Sequence, residues 1–340
     1  MRPLLSLYRG RYSAALVTTT NPLVLPYGEA AIAEAARVIR AGGCVAVPTE
    51  TVYGLAADAT DSRAVAGIYE AKGRPSFNPL IVHVSDLAAA QRIAVFDDIA
   101  RDLAARFWPG PLTLVLPVRP EAGIASLVTA GLDTIAIRVP RHRAMQALLA
   151  VTGKPLAAPS ANVSGGISPT RAAHVAASLR ERIPLVIDDG ATEAGLESTI
   201  VRGTEILRPG PLTAEDLFSG EGRSPEGSIE SPGPATLRPS PEHGTVVAPG
   251  QLDSHYAPSK PVRLNAAGAE DGEWLIGFGA VAGDESLSAS GDLTEAAANL
   301  FDALHRADAT AAATIAIAPV PETGIGIAIN DRLRRAAHPR

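Results

Sequence analysis

Lys72, Arg74 and Asn78 fall within seven residues of the stretch AKGRPSFNPLIVHV (71–84), directly ahead of an apolar, strand-like run. Cations crowded against the end of a strand call for an anion to face. Other polar clusters at expected strand edges or loops offer material for the same purpose: PTETVYGL (48–55), SANVSGGISPT (160–170), ESTIVRGTEILRPGP (197–211) and the segment 134–138 within GLDTIAIRVP. Together they hold Lys72, Arg74, Arg138 and Arg208 as cations, with Thr51, Ser160, Asn162, Ser168 and Ser198 as neutral partners. Arginine presents a planar fork that matches a carboxylate or a phosphate, so this inventory suits oxyanion recognition. SGGISPTRAAHVAA adds a small-residue loop opening a helix, where free N–H groups and the helix dipole attract negative charge.

Each piece alone has a commoner, structural explanation. KGR is more often a solvated helix end, and Arg138, alternating with Ile135 and Ile137, could sit on the surface of a half-buried strand. SAN–SGG can be a cap and a turn, RPGP a turn, and His83 a hydrogen-bonded strand histidine. The residues by themselves favour a phosphate ligand without naming it. Familiar alternatives are missing: there is no GxxxxGK[ST] loop, no GxSxG elbow, and no HxxxH or HExxH spacing. One cysteine cannot build a thiolate zinc site, and Cys44, inside GGCVAVP, reads as a buried core thiol. GFGAVAG (277–283) follows a strand, but its last gap is one residue too long for a dinucleotide fingerprint and the sequence after it is not helical.

These clusters must be positioned by an α/β fold. Residues 28–41 carry Ile32, Ala35, Ala36 and Ile39 at helical spacing, stopped by Gly42-Gly43. CVAVP reads as a buried strand, and DSRAVAGIYEAKGR as a helix capped by Asp61 or Ser62. Strands are expected at LIVHV, LTLVLPV, TIAIRVP, PLAAP, PLVID, STIV and EILR, with helices near 86–93, 97–107, 142–152 and 170–180. The irregular alternation predicts a mixed sheet. Residues 219–250 are rich in Pro, Gly and Ser and read as a linker. Beyond it, strands at KPVRL, EWLIGF and ATIAIAP alternate with helices at DLTEAAANLFDALHRAD and GIAINDRLRRAA, which predicts a small parallel-sheet domain.

The composition bounds the rest. A chain of 340 residues, 46% apolar and 19% charged, has room for two cores, and at 4% aromatics those cores are built from Ala, Val, Leu and Ile. A net charge of −6 argues against a surface devoted to nucleic acid. A single cysteine allows no disulfide framework and fits a cytoplasmic location. No apolar stretch reaches membrane-spanning length, and the first 24 residues read as a loose leader.

In order along the chain, PTETVYGL, KGRPSFNPLIVH, WPGPLT, TAGLDTIAIRVP, APSAN, SPT, ESTIV and RPGP resemble the YrdC/Sua family, whose members are L-threonylcarbamoyladenylate synthases. APGQLDSHYAP is similar to the linker of its long form, and GIGIAINDRLRRAA to the end of its second domain. The resemblance spans roughly residues 25–338. It implies a YrdC-like mixed twisted sheet with flanking helices over 25–218, a linker or lid over 219–259, and a small Rossmann-like α/β domain over 260–340. The implied reaction is nucleotidyl transfer: L-threonine, bicarbonate and ATP give threonylcarbamoyl-AMP and pyrophosphate. Downstream transferase proteins then modify tRNA.

By the same resemblance, Lys72, Arg74, Ser160 and Asn162 form a catalytic tetrad. Arg74, Asn78, Thr134, Ser160, Ser168 and Arg208 contact ATP, with Tyr256 acting as a lid over it. Thr51, His83, Arg138, Ala158 and Ser198 surround threonine, Arg138 holding its carboxylate. Mg2+ is expected on the nucleotide phosphates, without a protein-built metal site. The chain departs from many long-form relatives just before His255 and Tyr256, where Leu252, Asp253 and Ser254 replace basic and aromatic residues. Two other readings stay open: an RNA-binding module using the same cleft without chemistry, and a carbamoyl transferase of metal-centre maturation. The second lacks the acylphosphatase and zinc-finger-like parts that such relatives carry.

Overall fold

The structure, a computed structural model, describes residues 21–219 and 255–338. The leader up to residue 20, most of the linker, and the Leu252–Asp253–Ser254 departure therefore lie outside the described residues. The first strand, β1 (Leu23–Pro26), begins two residues before the domain start read from the sequence, because it pairs in parallel with a strand far downstream. It leads to α1 (Glu29–Arg40), which buries Ala31, Ile32, Ala35, Ala36 and Ile39. Then come the fully buried β2 (Val45–Pro48) and β3 (Tyr53–Asp58), which is buried up to its last residue. In α2 (Ser62–Lys72) the Asp61 carboxylate accepts from the N–H groups of Arg63 and Ala64, and Gly73 ends the helix in the left-handed region at φ 60°. That cap leaves Lys72 in the last turn and turns Arg74 out just beyond it.

Next in order are β4 (Ile81–His83), α3 (Leu87–Ile93), α4 (Asp98–Phe107), β5 (Leu112–Pro117), α5 (Ser126–Thr129) and β6 (Thr134–Arg138). After them come α6 (Arg143–Thr152), β7 (Leu156–Ala157), α7 (Ala172–Leu179), β8 (Leu185–Asp188), β9 (Thr199–Arg202), β10 (Glu205–Arg208) and α8 (Ala214–Phe218). Among the described residues these strands form one mixed sheet, ordered β1-β8-β2-β3-β7-β4-β6-β5-β9-β10. Its register positions the polar residues. His83 pairs with Arg138, Thr113 with Ile200, and Ile200 with Arg208. Cross-strand partners share a face, so these side chains gather on one side of the sheet. The YGLAAD strand was not legible in the sequence because Gly54 and Asp58 interrupt its strand-forming residues; it is buried on both faces and held between two neighbours.

The second domain holds β11 (Val262–Arg263), β12 (Glu273–Gly277), β13 (Glu285–Ser286), α9 (Leu293–Asp308), β14 (Thr314–Ile317) and α10 (Gly326–Ala337). Its four strands are all parallel, in the order β11-β14-β12-β13. The expected strand–helix alternation holds only for the second half, since loops alone join β11 to β12 and β12 to β13. The glycines of GFGAVAG explain the second of these connections. A Cβ on Gly277 would lie 2.3 Å from the Val281 carbonyl oxygen, and one on Gly283 would lie 2.4 Å from that of Leu275. Backbone packs on backbone there, which lets a short return place β13 parallel to β12. The motif is a tight turn, and no helix opens behind it.

The two domains share a core: Val52, Ile167 and Leu196 of the first pack with Phe301, Leu300 and Ile276 of the second. Polar contacts join them as well. Arg171 Nε donates to Asp302 at 3.0 Å, and the rings of His174 and His305 stack 3.8 Å apart. Gly283→Ala is expected to destabilise the second domain by about 1–3 kcal/mol through overpacking. A thermal melt that does not move would refute the close-packing account of this motif.

Candidate active site

Between the sheet face and the described end of the linker lies a cavity of about 550 Å³, its open mouth included. Thr51, Arg74, His83, Arg138, Ala158, Ser160, Ser198, Arg208 and Tyr256, all expected site residues, line it. Glu197 and His255, which the sequence reading did not single out, line it too.

Arg138 stands at the end of β6, 3% exposed. Its Nη2 pairs with Glu50 at 2.8 Å, its Nη1 donates to Thr51 Oγ1 at 2.8 Å, and its Nε donates to the Gly110 carbonyl at 3.1 Å. Nη2, though paired in charge with Glu50, is left without a hydrogen-bond partner among the described residues, which suits Arg138 to receive a carboxylate. Burial alone would raise the Glu50 carboxyl, but the charge of Arg138 outweighs it and holds the group down at about 2. His83, beside Arg138 in the register, is pushed down to about 3 by burial and by that arginine, so its ring is neutral.

Ser198 shares a hydrogen bond of 2.7 Å with Thr113 and receives Arg208 Nη2 on its carbonyl at 2.9 Å and on its hydroxyl at 3.1 Å. The RPGP turn sets this contact: a Cβ on Gly210 would fall 2.5 Å from the Thr199 nitrogen, so only glycine lets the turn lie against the start of β9. Arg74 donates to Asn78 Oδ1 at 2.6 Å and to the Pro79 carbonyl at 2.9 Å. Among the described residues its partners are neutral oxygens. Burial draws its guanidinium down to about 10, because the site offers it little compensation.

The remaining expected residues stand behind the wall. Lys72 Nζ donates to the carbonyls of Ser160 and Asn162, each at 2.6 Å, and so fixes the loop that presents Ser160. Burial, then the charge of Arg74, lowers its ammonium well below the ordinary lysine range. Asn162 Nδ2 donates to the Val163 and Gly166 carbonyls, closing the SGG turn. Asn78 holds Arg74, and Ser168 donates to Glu197. Thr134 opens β6, four residues from Arg138 and thus about 13 Å along the strand.

The described end of the linker closes the other side. Ala257 N donates to the Gly165 carbonyl, and Tyr256, at φ 63°, is fully buried with its ring 5.5 Å from that of Phe301. A tyrosine in the left-handed region costs on the order of 1 kcal/mol, which the packing of its ring offsets. His255 lies against it at 4.0 Å; burial, then Arg74, Lys72, Arg208 and Arg332, drives its pKa well below the ordinary histidine value. Asn78 Nδ2, His83 Nδ1, Asn162 Oδ1, His255 Nδ1 and the Tyr256 hydroxyl are buried with no hydrogen-bond partner among the described residues. Of these residues His83, His255 and Tyr256 line the cavity, and buried polar atoms left unpartnered there mark a ligand site.

No group of three or more His, Cys, Asp or Glu suited to a metal occurs among the described residues. Cys44 is buried, and burial pushes its thiol up to about 12, so it takes no part. No described helix is long and apolar enough to cross a membrane.

Residues 37–210 match the family described as telomere recombination (Sua5/YciO/YrdC), and residues 226–338 match the threonylcarbamoyl-AMP synthase C-terminal domain. The chain is 39% identical over 330 residues to a threonylcarbamoyl-AMP synthase of Bacillus subtilis, covering 90% of this chain and 92% of that one. It is 42% identical over 325 residues to one of Pyrococcus abyssi, covering 89% and 93%. Its fold is similar to the crystal structure of P. abyssi Sua5 complexed with L-threonine, with a TM-score of 0.81 and 37% identity over 93% of this chain and 97% of that one.

The Glu50–Arg138 pair makes a pH prediction. A folded value below the unfolded one contributes stability that is full above about 4.5 and is lost as pH falls toward about 2. The unfolding free energies of the wild type and Glu50→Gln should therefore differ at neutral pH and converge across that window. A gap that persists below pH 2 would show that the side chain acts by packing instead.

Proposed function

We infer the reaction from the family and the cavity together: this chain belongs to the Sua5/YciO/YrdC family, in the form that carries the threonylcarbamoyl-AMP synthase C-terminal domain. It makes threonylcarbamoyl-AMP and pyrophosphate from L-threonine, bicarbonate and ATP, as a nucleotidyltransferase acting ahead of the transferase proteins that modify tRNA. The observation that carries this reading is the convergence of Arg74, Arg138 and Arg208 with the unpartnered polar residues His83, His255 and Tyr256 in one cavity.

The cavity lining supports a division of labour. Arg138 takes the threonine carboxylate, flanked by Thr51, His83, Ala158 and Ser198. Arg74 and Arg208 face the nucleotide phosphates, with Ser160 and Tyr256 beside them. Asn78, Thr134 and Ser168 belong to the nucleotide set by resemblance. In this structure Asn78 and Ser168 support it from behind by holding Arg74 and Glu197.

Bicarbonate gives up hydroxide to yield CO2, and the threonine amine adds to its carbon. The proton the amine loses leaves with the hydroxide as water, and a carbamate oxygen attacks the α-phosphorus. A P–O bond to the carbamate forms as the bond to pyrophosphate breaks, and the bonding electron pair leaves on pyrophosphate. The step needs alignment of two anions and neutralisation of charge rather than a protein nucleophile. Lys72 contributes by clamping the Ser160–Asn162 loop and adding positive potential from behind.

Mg2+ fits as a companion of ATP: Glu197, the one carboxylate lining the described cavity, is already engaged by Ser168 and Arg332. When bound, the ion would neutralise phosphate charge. An RNA-binding module is disfavoured because Arg74, Arg138 and Arg208 are each under 9% exposed, beyond the reach of a polynucleotide backbone.

Pyrophosphate release measured with threonine and bicarbonate omitted in turn is expected to require both; release indifferent to threonine would sink the reading. Arg74→Ala and Arg138→Ala should each cost roughly 2–4 kcal/mol in transition-state stabilisation, tens- to thousand-fold in rate. Only Arg138→Ala should raise the threonine concentration needed, and the reverse pattern would reassign the two subsites.

A further inference from the structure

Arg332, in α10 of the second domain, is the largest fully buried side chain among the described residues, at 0% exposure. Its Nε reaches Glu197 at 2.9 Å, its Nη2 donates to the Pro209 carbonyl at 3.0 Å, and its Nη1 pairs with the neighbouring Asp331 at 2.7 Å. Its guanidinium carbon lies 5.1 Å from the centre of the Tyr256 ring. One side chain from the far domain therefore touches the wall carboxylate, the turn that carries Arg208, and the lid. It does not itself line the cavity.

Glu197 is the unfavourable element of an anion site. A carboxylate facing a triphosphate would repel it, and burial magnifies the repulsion. Its Oε1 is occupied by Ser168, which fixes its direction but adds no charge. Its Oε2 meets Arg332.

We propose that Arg332 is a positioning residue through which the second domain makes the first competent for nucleotide: it neutralises Glu197 and, through the Pro209 carbonyl and the Tyr256 ring, holds Arg208 and the lid in register. The inference rests on the nucleotide reading of the cavity. It gives the second domain a task in ATP binding; the threonine subsite, built around Arg138, depends on Arg332 only indirectly, where Arg208 holds Ser198.

The test is titration of the full chain with Mg2+-ATP and, separately, with threonine, alongside thermal melts. Arg332→Gln should weaken ATP binding roughly 10–100-fold, because an unpaired buried carboxylate then faces the phosphates, and should change threonine binding less than about threefold. The double variant Glu197→Gln/Arg332→Gln removes both charges and should recover ATP binding to within about tenfold of wild type. A double variant as weak as the single one overturns the proposal, as does equal loss of ATP and threonine.

If Arg332→Gln does not fold, the double variant decides alone: binding within about tenfold of wild type upholds the neutralising role, and weaker binding refutes it. Pyrophosphate release by the wild type keeps the two readings apart. Its absence alongside intact ATP binding refutes the synthase reaction and leaves the ion-pair comparison legible. A wild type that binds no ATP overturns both.

Discussion

Burying cations without matching carboxylates is costly, and the arrangement of this molecule follows from how that cost is met. Lys72, Arg74, Arg138 and Arg208 are all buried around one cavity. Glu50 compensates Arg138 directly, whereas Lys72 and Arg74 rest on carbonyl and amide oxygens. A buried charge on neutral dipoles is stabilised only in part, so the apoprotein holds a positive potential in store for an anion. Burial is the main cause of the depressed values of Lys72, Arg74 and His255, and for Lys72 and His255 the neighbouring cations come next.

The sheet makes this crowding tolerable. Its register lines up residues from β4, β5, β6, β9 and β10 on one face, so the guanidinium groups of Arg138 and Arg208 project from strands whose own backbone is paired, while Arg74 reaches in from the end of α2. The carbonyls that receive the cations come instead from the connections: Gly110 before β5, Pro79 before β4, Ser160 and Asn162 after β7, Ser198 before β9. Loops carry the spare acceptors because ladder hydrogen bonds consume those of the strands. Hence the polar motifs of the sequence sit at strand edges, and the proline and glycine around them are structural. Gly73 and Gly210 place Arg74 and Arg208.

That division also decides what could be read from the sequence. Helices such as α1 and α9 were legible because one apolar stripe at helical spacing meets one core. Arg74, Arg138 and Arg208 were legible because basic residues stand out against apolar strands. β3 was hidden by Gly54, and β13 by an acidic, serine-rich stretch that follows a turn too tight for its register to be guessed. Glu50, Glu197 and Arg332 were within quoted motifs yet passed unnoticed. A carboxylate in an anion site looks like an error until its cation is seen, and that cation lies 88 residues away for Glu50 and 135 for Glu197. Lys72 shows the converse: its place in the motif was plain, but that its ammonium faces two carbonyls rather than the cavity depends on the fold of a loop 88 and 90 residues on.

The same logic bears on why a second domain is attached at all. The first domain's sheet and helices already bury a large core of their own, so stability alone does not demand it. Yet Val52, which lines the cavity, Leu196, beside the lining residue Glu197, and Ile167 are buried in the core of the second domain. Tyr256 joins that same core, lines the cavity, and has a buried hydroxyl without a partner among the described residues. An element that packs against both the cavity wall and Tyr256 cannot shift without moving both, because packed cores have discrete arrangements rather than continuous ones. The second domain, Tyr256 and the wall are thus fixed by one packing arrangement.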